Sequence, residues 1–236
     1  CYEDLSIQAM AESFSYEKYL QLLTEKEVEN RQENRINRYL KESLLPYSKT
    51  LEQLDRSVLP QKVNQQISQI LEGHFARHCE NILAFGTPGG GKTHLLCAIG
   101  HHLIREHQLR VLFLTCSALV ERLLAAKNEL NLSLALKKLE KFDVIIIDDI
   151  GYVEQSRDEM SVLFTFLAER YEKGSLMISS NLPFSKWENI FKDPMTTAAA
   201  IDRLVHHSTI IDLNISSYRM GNAKQKMKGE NDTINK

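Results

Sequence analysis

Residues 86 to 93 read Gly86-Thr87-Pro88-Gly89-Gly90-Gly91-Lys92-Thr93. This is the GxxxxGK[ST] spacing of a phosphate-binding loop. The glycines let the backbone curl so that its N–H groups face β- and γ-phosphate oxygens. The positive end of a helix that follows such a loop adds to the attraction. Lys92 then reaches the β/γ-phosphates, and the Thr93 hydroxyl is placed to ligate Mg²⁺. The expected ligands are ATP and Mg²⁺.

A second chemical feature is the acidic pair Asp148-Asp149, which closes the apolar run Val144-Ile145-Ile146-Ile147. In an open α/β sheet, ligands sit at the carboxyl ends of strands. Read together with the loop, Asp148 is a second Mg²⁺ ligand, direct or through water. Asp149 is placed to orient or deprotonate an attacking water. Taken alone, the pair reads equally as a strand running into a helix cap.

Two further residues gain meaning only from context. Asn181 follows the apolar run Leu176-Met177-Ile178 through Ser179-Ser180. It is placed to meet an attacking water or a γ-phosphate, although a Ser-Ser-Asn turn is unremarkable by itself. Arg203, in the helical stretch 198–204, is a candidate for an arginine acting on a neighbouring subunit's nucleotide. Its plain reading is a surface pair with Asp202.

Elements must hold these groups in place. Five short apolar runs, 82–85, 111–114, 144–147, 176–178 and 209–213, alternate with helical patterns. That alternation predicts βαβ units and a parallel sheet, covered by helices on both faces. Before it, leucines and isoleucines at helical spacing over 15–45 predict a long helix that Pro46 ends. A polar stretch over 47–61 reads as a linker, and a helix is predicted over 61–79. The expected organisation is a helical N-terminal domain with linker over 1–58 and a nucleotide-binding domain over 59–220. A disordered polar tail over 221–236 completes it. The chain opens on Cys1-Tyr2-Glu3 rather than Met, so further residues are expected upstream.

Composition restricts the partners. Net charge is −2 over 236 residues, so any nucleic-acid contact must come from a local patch. Arg31, Arg35 and Arg38 fall at i, i+4 and i+7, on one helix face opposite Ile36 and Leu40. They are a candidate stripe for a DNA backbone. Glu27 and Glu42 sit four residues before Arg31 and after Arg38, and offer the alternative of an ion-paired, solvated face. The four cysteines, Cys1, Cys79, Cys97 and Cys116, form no CxxC pair, so the expected setting is a reducing cytoplasm. No apolar stretch reaches the ~20 residues that span a bilayer.

With these pieces placed, the chain resembles the IstB-type transposition helper ATPases, relatives of the DnaC-type helicase loaders within the AAA+ class. The likeness rests on Asn81 to Gly86 with the loop and Thr93-His94-Leu95, and on Asp148-Asp149-Ile150-Gly151-Tyr152. It continues in 169–174, in 179–187 (Ser-Ser-Asn-Leu-Pro-Phe-Ser-Lys-Trp), in Asp202-Arg203-Leu204-Val205-His206-His207 and in Ser217-Tyr218-Arg219. At the N-terminus it rests on 15–17, 34–38 and 49–52. The resemblance implies an AAA+ fold and an oligomeric ATPase that binds double-stranded DNA and serves a cognate transposase. It implies that Asn181 senses the γ-phosphate and that Arg203 acts in trans. The alternative is a DnaC-like loader of a replicative helicase. The chain departs from many AAA+ ATPases in carrying Asp149 where glutamate is common, and little sequence follows the last strand to build a helical lid. No second sensor is assigned; Arg219 lies in the relevant region.

Overall fold

The computed structural model describes residues 2–151, 156–191 and 193–214. Five strands form one sheet: β1 (Asn81–Phe85), β2 (Val111–Thr115), β3 (Val144–Asp148), β4 (Ser175–Ser180) and β5 (Ser208–Asp212). Every pairing is parallel, and the order is β2-β3-β4-β1-β5. The helices are α1 (Tyr2–Ala11), α2 (Tyr16–Glu42), α3 (Gln61–Leu71), α4 (His74–Arg77), α5 (Lys92–His107), α6 (Cys116–Asn128), α7 (Leu132–Leu139), α8 (Arg157–Arg170), α9 (Glu188–Phe191) and α10 (Pro194–Val205).

The strands alternate their side chains between two apolar layers, as period-2 geometry requires. Leu83, Ile145, Ile147, Leu176 and Ile178 face a layer built with α6, α8 and α10. Ile82, Ala84, Val144, Ile146 and Met177 face the other, built with α3 and α5. Both faces are therefore covered, which is why these strands read as continuous apolar runs rather than alternating ones.

The helix boundaries follow local chemistry. Ser15 caps α2 by accepting the Lys18 N–H, and Asp193 caps α10 by accepting the Thr196 N–H ahead of Pro194. Ser156 and Glu159 form a reciprocal capping box at α8. The helix predicted over 61–79 is two helices. The chain turns at Gly73, whose φ is +75°, and a Cβ there would meet the His107 ring at 3.0 Å.

The N-terminal segment is all helical. No residue of α1 is buried. Ile36, Tyr39 and Leu40 of α2 pack against the α3/α5 layer, and the Phe113 N–H donates to the Ser43 carbonyl at 2.7 Å. The end of α2 is thereby tied to β2.

Arg170, at the end of α8, is buried, and its guanidinium donates to the carbonyls of Leu139, Phe142, Asp143 and Ser175. Burial pulls it down to about 10, which leaves it charged at neutral pH. It locks the amino ends of β3 and β4 together. Cys97 and Cys116 are buried and Cys79 is partly exposed, all as free thiols. Burial pushes the Cys97 thiol up to about 12, so it is inert. Among the described residues, no helix is long and apolar enough to cross a membrane.

Candidate nucleotide site

The glycine loop leaves β1 at its carboxyl end and delivers the chain into α5. Gly86, Gly89 and Gly91 hold φ of +153°, +83° and +87°. These are backbone values that L side chains resist. Gly91 is the N-cap of α5, and nothing lies within 4 Å of where its Cβ would be. That clearance leaves open backbone facing the helix N-terminus. Gly86 and Gly90 are needed for a different reason. Added Cβ atoms would sit 2.4 and 2.8 Å from the Leu213 carbonyl oxygen. The chain leaving β5 passes directly against the loop.

Lys92 is buried, and its ammonium donates to the carbonyls of Gly86 and Thr87 at 2.9 and 3.0 Å and to Oδ1 of Asn181. The sequence-predicted loop lysine and the polar residue after β4 are thus direct partners. Asn181 is brought there because β4 lies between β1 and β3.

Asp148 is the last residue of β3 and is buried. It does not face β1 directly, since β4 intervenes, and the Ser179 hydroxyl of β4 donates to its Oδ1 at 2.6 Å. The same hydroxyl accepts the Asp149 N–H at 2.8 Å. Ser179 therefore anchors the Asp148 carboxylate and the Asp149 backbone, and no sequence signal gave it that role. Asp149 takes φ +57°, a left-handed conformation that aspartate tolerates better than most residues. That turn swings it off the strand axis into the cavity.

The cavity measures about 500 Å³. Pro88 to Leu95, Asp149 and Asn181 line one side, with Leu213. The opposite wall is Lys49, Gln53, Leu54, Asp55, Val58 and Leu59. This stretch, which reads as linker in the sequence, is a structured wall with a 3₁₀ turn at Arg56–Val58 capped by Asp55. His94 Nε2 lies 3.1 Å from the Thr50 carbonyl and Arg56 donates to Asn64 Oδ1, so the wall is fixed from both sides. The only sequence clue is the apolar set Leu51, Leu54, Val58 and Leu59 among its polar residues. The volume suits a small-molecule site. A glycine cradle, a lysine and the Asp149 carboxylate beside a half-apolar wall, with buried Asp148 one residue back at the end of β3, suit a nucleoside triphosphate with a divalent cation.

Arg203 is elsewhere. It lies near the end of α10, at the amino edge of the sheet, where the Asn81 side chain donates to the Leu204 carbonyl. The loop leaves from the other end of β1. Five residues of strand put the two ends ~13 Å apart at ~3.3 Å per residue. The Arg203 guanidinium stacks 5.2 Å from the Phe164 ring centroid and donates to the Ala199 carbonyl. It shares a separate cleft with Arg77, Tyr171, Glu172 and His207.

The arginine stripe lies on α2 with partners in place. Arg31 pairs with Glu27 at 2.7 Å, Arg38 with Glu42 at 3.9 Å, and Arg35 donates to Gln108. Tyr152, the Ser217-Tyr218-Arg219 stretch, Cys1 and the tail over 221–236 lie outside the described residues.

The sequence model of the IstB-like ATP binding proteins matches residues 1–227. An insertion sequence ATP-binding protein of Sinorhizobium fredii is 44% identical over 219 residues, covering 92% of this chain and 73% of that protein. The ATP-binding protein of insertion sequence IS21 from Pseudomonas aeruginosa is 35% identical over 226 residues, covering 96% and 84%. Among solved structures, the DnaC helicase loader aligns with a TM-score of 0.58 at 17% identity, over 76% of this chain and 99% of that one. The replication initiator DnaA bound to AMPPCP and single-stranded DNA aligns with a TM-score of 0.60 at 16% identity, over 80% and 57%. These structural likenesses establish the AAA+ fold.

Proposed function

This chain belongs to the IstB-like ATP-binding protein family, and from that membership we propose that it is an ATP-hydrolysing, DNA-binding helper of transposition. It assembles with copies of itself on double-stranded target DNA and recruits or stimulates a cognate transposase. Hydrolysis controls assembly or release. The observation that carries this reading is the division of the site between two ends of the sheet. Lys92, Asp149 and Asn181 share one cavity, and Arg203 stands at the far end of β1. An arginine so placed is out of reach of its own nucleotide and free to meet a neighbour's, which makes the complete site a property of the oligomer.

Within the cavity, Lys92 would exchange its carbonyl and Asn181 partners for β/γ-phosphate oxygens. Thr93 and Asp148 would hold Mg²⁺, which neutralises charge on those oxygens. Asn181, released from Lys92, is free to meet the γ-phosphate or a water. Asp149 would orient that water and take its proton. The wall over 49–59 presents Leu54, Val58 and Leu59 as an apolar seat for a base. The division into 1–58, 59–220 and 221–236 stands as our proposal, with the amendment that residues 49–59 serve the nucleotide.

The match over residues 1–227 takes in the N-terminal helices, which favours a transposition helper over a loader of a replicative helicase. A second reading is a nucleotide-gated scaffold in which hydrolysis is slow and only resets the assembly. The left-handed turn and short side chain of Asp149 favour it. One experiment tests both. ATP turnover is measured with and without duplex DNA over a range of protein concentrations, beside DNA assembly by Asp149→Asn. Turnover that rises with DNA and concentration supports the proposal. Asp149→Asn assemblies that persist and fail only in release support the scaffold. Turnover indifferent to both DNA and concentration overturns the oligomeric site.

A further inference from the structure

The motif 202–207 ends in His206-His207, and the nucleotide site uses neither. His206 is the C-cap of α10, and its N–H donates to the Asp202 carbonyl at 3.0 Å. The His207 carbonyl accepts the Asn81 N–H at 2.7 Å, which fixes that residue against the start of β1. The two rings lie with centroids 4.1 Å apart. Facing them is the turn after α8, where Glu172 holds φ +58°. Among the described residues, Glu172, His206 and His207 form a group whose ligand atoms all lie within 4.8 Å of one another.

The arrangement around these groups is that of a ligand set. The Tyr171 phenol oxygen lies 3.0 Å from Nδ1 of His206. With Nδ1–H donating to that oxygen, the Nε2 lone pair of His206 is left for a metal, and the ring orientation is set by its outer partner. His207 and Glu172 both line the adjoining cleft of about 290 Å³, so water can reach the group. Two imidazoles and one carboxylate suit zinc-class ions and not Mg²⁺ or Ca²⁺, which prefer oxygen-only shells. Arg77 and Arg203 line the same cleft and oppose a cation electrostatically. The ion therefore has to be one that gains enough from nitrogen ligation to overcome them.

We infer that Glu172, His206 and His207 bind one divalent transition-metal ion of the zinc class, with water completing its shell. Such an ion joins the turn after α8 to the turn between α10 and β5, two segments that are distant in sequence. It clips the edge of the domain that carries Arg203. The site is independent of the nucleotide cavity at the opposite ends of the strands.

The test is calorimetric titration of the full chain with ZnCl₂, without nucleotide and in excess Mg²⁺. Co²⁺ substitution, read by visible absorption, reports the ligand set. One saturable equivalent is expected. Glu172→Gln and His207→Ala should each weaken it at least ~10-fold, Tyr171→Phe should weaken it by about that factor, and Lys92→Ala should leave it unchanged. Zn²⁺ should raise the melting temperature of the native chain and not that of Glu172→Gln. Glu172 is exposed, so this variant keeps the test informative if His207→Ala fails to fold. His74 at the start of α4 and His78 at its C-cap, four residues apart, are the competing surface pair. Binding that disappears in His78→Ala but survives unchanged in Glu172→Gln and His207→Ala overturns the inference. So does the absence of saturable binding in the native chain.

Discussion

Two variants that are each inactive should restore one another when mixed. Lys92→Ala removes the phosphate lysine but leaves Arg203 in place, and Arg203→Ala does the reverse. The two side chains belong to opposite ends of β1, ~13 Å apart along a five-residue strand. If Arg203 acts on a neighbour's nucleotide, as proposed, a head-to-tail interface pairs one subunit's cavity with the next subunit's arginine. Loss of a trans arginine costs about a thousandfold or more in turnover, so each variant alone should be close to background. In a random equal mixture, an interface is competent when an intact cavity meets an intact arginine. That happens at about one interface in four for a heterologous assembly. The mixture should release phosphate at about a quarter of the wild-type rate per subunit, in steady state with duplex DNA. A mixture no more active than the sum of its parts would refute the trans assignment. So would an Arg203→Ala protein whose turnover stays within a few-fold of wild type.

Three further outcomes follow from the geometry. Ser179→Ala removes the hydroxyl that donates to buried Asp148 and accepts the Asp149 N–H, and should cost about 1–3 kcal/mol in denaturant unfolding. It should also weaken Mg²⁺-dependent nucleotide binding more than Mg²⁺-free binding, and an unchanged Mg²⁺ dependence would count against Asp148 as a metal ligand. Gly86→Ala forces a Cβ to 2.4 Å from the Leu213 carbonyl and should cost about 2 kcal/mol or more. Gly91→Ala meets no neighbour and should cost about 1–2 kcal/mol from its left-handed φ alone; equal denaturation midpoints would remove the special role of Leu213. Replacing Arg31, Arg35 and Arg38 together with glutamine should flatten the salt dependence of DNA binding by about 0.9 for each phosphate no longer neutralised. An unchanged slope would return these residues to their ion pairs with Glu27 and Glu42 and their hydrogen bond with Gln108.

The parts of the molecule that announce themselves in sequence are those whose chemistry is local. The glycine loop needs its residue types at fixed spacing, and the five apolar runs need only β-compatible side chains buried on both faces. The apolar runs become the five strands with their ends moved by one or two residues, and Asp148 closes β3. What escapes is set by long-range placement. The strand order puts β4 between β1 and β3, and this makes Ser179 the link between the Asp148 carboxylate and the Asp149 backbone and brings Asn181 to Lys92. A serine that follows an apolar run has no signal of its own that could reveal that link. The wall over 49–59 was hidden for the opposite reason. Its polar composition is that of any exposed connection, and only its packing against α3 and α5 gives it a role. Arg170 carries no individual signal within the stretch 169–174, yet it is buried among four carbonyls that the fold collects from three segments.

The close passage of Leu213 beneath Gly86 and Gly90 bears on the order in which the chain becomes competent during synthesis. β5 pairs with β1 alone, at the edge of the sheet, and begins at Ser208, far along the chain from the loop it supports, which ends at Thr93. The Leu213 N–H donates to the Phe85 carbonyl at 2.7 Å, immediately before the loop begins. Until that late segment has left the ribosome and docked, the glycine loop lacks the floor on which it rests. A nascent chain carrying every residue of the phosphate loop therefore still lacks the backbone that holds that loop from below.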